Sequence, residues 1–157
     1  MNIFAVCDDT ETCARYLDDK RLVKMVLETA QILCTSLHIN GYSDDNLYRK
    51  THAHHPVVQW CASNRFNYYW TVRYFNDLCL EYTRRYSKHH KCQLKFGRGR
   101  YFTYRAVHIP DSAYGNMTPF CNCTKDYKHI PDTFLAYKLQ LQDKWYADKR
   151  PATCRLW

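Results

Sequence analysis

Lys20, Lys24, Glu28, Gln31 and Thr35 follow one another at spacings of four, four, three and four. On a helix that spacing sets them along one line. Leu22, Val26, Ala30, Leu33 and Leu37, flanked by Val23, Met25, Leu27 and Ile32, make most other directions apolar. A polar line on a helix otherwise surrounded by core reads either as a solvated face with i,i+4 ion pairs or as the lining of a ligand cleft. The carboxylates here, Asp18, Asp19 and Glu28, sit beside Lys20, Arg21 or Lys24. Neighbouring cations favour the ionised carboxylate. That state suits stabilising positive charge on a sugar ring better than donating a proton. The plainer reading of Asp18-Asp19-Lys20-Arg21 is an exposed charge cluster.

A second chemistry is carried by charge and rings. Residues 84–105 contain Arg84, Arg85, Lys88, Lys91, Lys95, Arg98, Arg100 and Arg105 and no Asp or Glu, which accounts for the whole formal net charge of +8. The excess is therefore a patch, as a polyanion partner would require. Tyr, Phe and His are interleaved with these cations, so phosphate neutralisation and base stacking are offered together. Aromatics reach 16% of the chain, more than a core of this size needs. Trp60, Asn64, Asn67 and Thr71 form a further line that combines a large ring with two amides. Trp60 or Tyr69 is expected to stack on a base and the amides to read it. The reading requires the 84–105 cations to converge with Lys20 and Lys24 on one groove.

Other chemistries lack their residues. His52, His54 and His55, His89, His90 and Cys92, and Cys121 with Cys123 pair possible ligands, but none is the Cys-x-x-Cys of the commonest zinc pairs. No metal and no cofactor is expected. Nucleophile-elbow, phosphate-loop and His-Glu-x-x-His motifs are absent from the sequence.

The elements that must position these groups are helical. With 157 residues one domain is the default, and 4 Gly and 5 Pro disfavour a many-stranded sandwich. An all-α fold is expected, a compact single-domain bundle spanning 1–157 with a short extended N-terminus and a long basic loop. Asp8, Asp9 or Thr10 caps one long helix, or two consecutive ones, reaching about Leu37, with Asn40-Gly41 as the stop. Residues 41–55 form a polar loop, and Pro56 opens a helix from Val57 to about Lys88. Periodicity then vanishes until Pro131-Asp132, where a final helix begins and runs to about Asp148. Nine Cys, an odd count without a secretory start, indicate reduced thiols in the cytoplasm or nucleus rather than a secreted chain. No stretch holds the eighteen or so continuous apolar residues of a membrane span, so no membrane partner is expected. The sequence leaves the oligomeric state open.

With these landmarks placed, the chain resembles the endonuclease V type of pyrimidine-dimer DNA glycosylase of phages and large viruses. The likeness lies in a very short apolar start, an early helix with Ala14, Leu17, Lys20 and Lys24, an aromatic-rich central helix ending in basic residues, and Asp143-Lys144 followed by Arg150-Pro151. It is also similar to small phage and viral proteins that begin Met-Asn-Ile-Phe and carry segments like Asp19 to Met25 and Glu28-Thr29-Ala30-Gln31. The glycosylase resemblance implies an all-helical domain that extrudes a nucleotide and cuts its glycosidic bond, with the N-terminal amine as nucleophile, a Glu of the first basic helix assisting, and basic side chains on phosphates. It implies phosphate contacts for Lys20, Lys24, Lys144 and Arg150. Arg21 stands where the family carries its Glu, leaving Asp19 and Glu28 as the nearest carboxylates, and Asn2 is large enough to keep Met1 in place.

The expected function is therefore nucleic-acid binding, with glycosylase or lyase action on a damaged or modified base. DNA is the first partner and RNA the second. Met1, Asp19 and Glu28 are the catalytic candidates. Arg155 joins Lys144, Arg150 and the 84–105 cations on phosphates. Two alternatives stand beside this reading: a non-catalytic inhibitor or architectural protein, and an enzyme for a free nucleotide whose pocket is lined by Lys20, Lys24, Glu28, Gln31 and Asn64.

Overall fold

A computed structural model describes residues 1–148; Arg150 and Arg155, assigned to phosphate contacts above, lie outside the described residues. The first helical region is two helices, α1 (Thr10–Tyr16) and α2 (Asp19–Ile39). Asp9 caps α1 by accepting the Thr12 N–H, and Asp18 caps α2 by accepting the Arg21 N–H at 2.9 Å. The chain breaks between them because Leu17 is extended and fully buried while the Asp18 side chain satisfies donors that a continuous helix would have bonded internally. Asn40 closes α2, and Gly41 supplies the positive φ of +80° that the exit turn needs.

The expected helix from 57 to 88 also divides, into α3 (Pro56–Ser63) and α4 (Arg65–Tyr86). Asn64 is the hinge. Its extended backbone ends α3, and its side chain accepts the Asn67 N–H at 2.9 Å to start α4. Asparagine bonds local backbone better than it tolerates a helix interior.

The aperiodic stretch after His90 corrects the expectation of a long basic loop. It contains α5 (Lys91–Phe96), a 3-10 turn at Gly97–Gly99, α6 (Arg100–Arg105) and a second 3-10 turn at Ala106–His108. Helices of six residues are too short to show a repeat. Phe96 and Phe102 are buried against each other and against Phe75 of α4. Residues 109–132 are irregular, and α7 (Thr133–Ala147) follows, capped by Asp132.

α2 packs against α3 and α4, and α4 also packs against α1. By length and mean apolar composition α2 is long enough to cross a membrane, although Lys24 and Glu28 interrupt its apolar residues. Its apolar residues are spent on the core, with Leu22, Met25, Val26, Ala30, Ile32, Leu33 and Leu37 at 0–1% exposure. Burial of such side chains is worth roughly 1.5–3 kcal/mol each. The lead from Met1 to Val6 pairs as no strand. Ile3, Ala5 and Val6 are buried, and the Asn2 side chain bends the start by accepting the Ile3 and Phe4 N–H groups. Phe4 meets the buried Tyr137 of α7 edge-on, so lead, α2 and α7 meet at one place.

Candidate active site

At that meeting point lies a cleft of about 310 Å³. The lead contributes Met1, Asn2 and Phe4; α2 contributes Lys20, Arg21, Lys24, Met25 and Glu28; Cys123 and Lys125 come from the irregular segment and Gln140 and Lys144 from α7. Lys20, Lys24 and Glu28 face one way because they are one helical turn apart. Gln31 and Thr35 continue the line but leave the cleft, and Thr35 is buried in a mutual bond pair with the Thr51 backbone.

Glu28 is the one carboxylate among the described lining residues. Its Oε2 lies 3.9 Å from the Met1 amine and accepts the Asn2 N–H at 3.2 Å, while Oε1 is 3.2 Å from Lys24 Nζ. The Glu28 side chain is 13% exposed and that of Lys24 72%. Glu28 is thus held from below by the lead and from above by a solvent-facing ammonium.

The cleft mouth is fixed by a charged clamp. Arg21 bonds both Asp18 and Asp148, Lys20 reaches Asp148 Oδ1 at 2.9 Å, and Trp145 donates its indole N–H to Asp18. The Arg21 guanidinium, with the Lys20 ammonium, holds the Asp148 carboxyl down to about 2. This ties the start of α2 to the end of α7. Lys125 is set by its backbone N–H on the Gln140 side chain at 2.9 Å. Behind the cleft, burial first and the Met1 ammonium second push the His55 imidazole below its usual value. Its Nδ1 is the acceptor that caps α3 at the Val57 N–H.

The structure thus brings together Met1, Lys20, Arg21, Lys24, Glu28 and Lys144. Asp19 stays outside. It is half-buried in the first turn of α2, where its side chain accepts the Lys20 N–H and its carbonyl accepts the Tyr86 hydroxyl.

The aromatic and amide line is corrected. Trp60 is buried, donates to the Thr118 carbonyl and stacks on Phe120. Asn64 is spent on its cap. Asn67 is fully buried, donates to Trp60 O, Ser63 Oγ and Thr118 Oγ1, and accepts the Thr118 N–H. The Asn67 amide is thus committed within the fold, nitrogen and oxygen alike. Of the lining expected for a free-nucleotide pocket, Lys20, Lys24 and Glu28 are in the cleft, and Gln31 and Asn64 are not. Tyr69 is 39% exposed on α4 and lines no part of the cleft.

The 84–105 cations do not converge here. Arg84 and Arg85 both bond Glu81, and Arg85, 5% exposed, also donates to the Leu17 and Arg15 carbonyls. Arg85 therefore locks α4 to the α1–α2 junction. Arg105 is held by Asp44 and Tyr42 and lies 3.5 Å over the Tyr101 ring. Lys88 and Lys91 are exposed, and Arg98 and Arg100 edge a separate groove with Asn76, His89 and Gln93. Lys125, Gln140 and Asn2 were not legible as site residues, because nothing periodic links them to α2.

A family model described as pyrimidine dimer DNA glycosylase matches residues 1–94. The match spans the lead, α1 to α4 and the beginning of α5, and so includes Met1, Lys20, Lys24 and Glu28. No curated protein and no solved structure matches the chain.

Proposed function

Since the chain belongs to the pyrimidine dimer DNA glycosylase family, we propose that it cuts a glycosidic bond in damaged duplex DNA with the Met1 amine as nucleophile and Glu28 as its partner carboxylate. The observation that carries the reading is the Met1 amine 3.9 Å from Glu28 at the base of a cleft edged by Lys20, Arg21, Lys24, Lys125 and Lys144. Arg21 occupies the position that matches the family's Glu. Glu28, seven residues further along α2, is close to two full turns away and so points into the same cleft.

The cations hold the phosphates on either side of an extruded nucleotide. Met25 and Phe4 form an apolar floor for the sugar or base, the part expected of Trp60. The free amine attacks C1′, and the C1′–N bond breaks with its electron pair going to the departing base, which takes up a proton. Glu28 stabilises the positive charge developing at C1′. The nitrogen then loses a proton and drives open the C1′–O4′ bond, O4′ taking up a proton, to give a C1′=N imine; loss of a C2′ proton from that imine expels the 3′ phosphate with the electrons of the C3′–O bond.

Borohydride added during incubation with ultraviolet-irradiated duplex reduces an amine–sugar imine to a stable adduct. The adduct is expected on the peptide that begins at Met1, and Glu28→Gln is expected to bind the duplex while losing cleavage. Unbroken strands after mild alkali, across ultraviolet, abasic and modified-base duplexes, would refute catalysis and leave a DNA-binding protein.

A further inference from the structure

Cys121 and Cys123 lie on the segment that forms one wall of the cleft, Cys123 being part of the lining. Their Sγ atoms are 3.6 Å apart. A single buried hydroxyl holds both ends of this Cys-Asn-Cys turn: Tyr137 donates to the Cys121 carbonyl at 2.9 Å and accepts the Cys123 N–H at 3.2 Å. Asn122 anchors the middle by donating to the Tyr127 and Ile130 carbonyls. The sulfurs are therefore kept close by the fold, with no need for a chance encounter. Both are half-buried, whereas Cys13, Cys34, Cys61, Cys79 and Cys92 are buried.

We propose that Cys121 and Cys123 form a hydroperoxide-sensitive dithiol, a modification site in which Cys123 is the attacking sulfur and Cys121 the resolving one. The adjacent Cys121 thiol first, and Tyr137 and Lys128 in addition, draw the Cys123 thiol below its ordinary value, while Cys121 is pushed up. The thiolate is the nucleophile toward a peroxide, and a nearby thiol traps the product. In the first step the Cys123 sulfur attacks one peroxide oxygen, the O–O bond breaks, and hydroxide or alkoxide leaves. In the second the Cys121 sulfur attacks the Cys123 sulfenic acid, the S–S bond forms, the S–O bond breaks, and water leaves with the thiol proton. Two thiols and one hydroperoxide yield one disulfide, one alcohol or water, and one water.

Cys7 and Cys13 are the internal comparison. Their sulfurs are 3.9 Å apart, and Cys13 is sealed at zero exposure. Trypsin separates the pairs, since residues 106–125 carry only Cys121 and Cys123 and residues 1–15 only Cys7 and Cys13.

The full chain is treated with substoichiometric hydrogen peroxide, alkylated and digested without reductant. Peptide 106–125 is expected to lose two hydrogens before any other cysteine is oxidised, and to regain them with a dithiol reductant. In Cys121→Ser a sulfenic acid is expected to accumulate on Cys123, where a cyclic 1,3-diketone traps it. Peptide 106–125 staying fully reduced while peptide 1–15 or the single-cysteine peptides oxidise would overturn the proposal. So would equally fast oxidation of Cys121 in Cys123→Ser. The assay reads thiols alone, so its outcome is independent of whether the cleft cuts DNA.

Discussion

Lys24→Ala separates a side chain that serves the cleft from one that serves the fold. The Lys24 side chain is 72% exposed, and its one ion pair among the described residues is the i,i+4 contact to Glu28 at 3.2 Å. Exposed helical pairs of this kind contribute about 0.3–0.5 kcal/mol. In a domain of this length that corresponds to a Tm change of about 1–2 °C. The proposed work of Lys24 is larger. It removes one cation from the phosphate path, so the slope of log affinity against log salt falls by about 1. A charge-assisted contact worth about 1.5–3 kcal/mol is lost, which is a drop in kcat/KM of roughly 10- to 150-fold. The assays are thermal melting, duplex binding across a salt series, and cleavage of irradiated duplex under alkali. A melting drop beyond about 5 °C, with salt slope and cleavage unchanged, would show that Lys24 is a structural residue and that the polar line of α2 is a solvated face.

Arg85→Ala should do the reverse. It takes the buried guanidinium from Glu81, leaving that carboxylate to the exposed Arg84, and removes a donor from the Leu17 and Arg15 carbonyls; a buried group that loses its partner costs about 1–3 kcal/mol, so urea denaturation should show a clear loss of stability while the salt slope of the folded protein stays put. Gly99→Ala places a Cβ 3.1 Å from Val72 Cγ1 at a φ of +85°; a cost of about 1–2 kcal/mol in urea unfolding is expected, and an unchanged midpoint would refute the close α4 contact. Asp148 has its carboxyl held down to about 2 by Arg21 and Lys20. A depressed acid stabilises the fold above its unfolded value of about 3.9 and loses that contribution as pH falls toward the folded one. Urea midpoints between about pH 4 and 2 should therefore fall more steeply for the wild-type chain than for Asp148→Asn; parallel curves would break the clamp argument.

Helix content, the start of α1, the Asn40-Gly41 stop and the start of α7 follow from short-range rules, because caps, glycines and apolar repeats act within a few residues. The line Lys20, Lys24 and Glu28 was equally legible, since helical geometry alone puts those side chains on one face. The breaks at Leu17-Asp18 and Asn64 were not. There a side chain takes over the work of an intrahelical bond, and whether it does depends on burial of its neighbours. The short helices at 91–105 carry too few turns to show a period.

What sequence could never decide was which polar residues were already occupied. Asn67 and Trp60 look like base readers, and Arg84, Arg85 and Arg105 like phosphate ligands, until Thr118 and Asp44 arrive from distant parts of the chain, and Glu81 from one turn back on α4, to satisfy them. A buried polar group must find a partner, and partners tens of residues away leave no local signature. In the same way only the packing of the lead and α7 onto α2 brings Met1, Lys125 and Lys144 to Glu28. The amino-acid order determined the helices and the reactive face of α2; tertiary contacts decided which cations remain available to meet a ligand there.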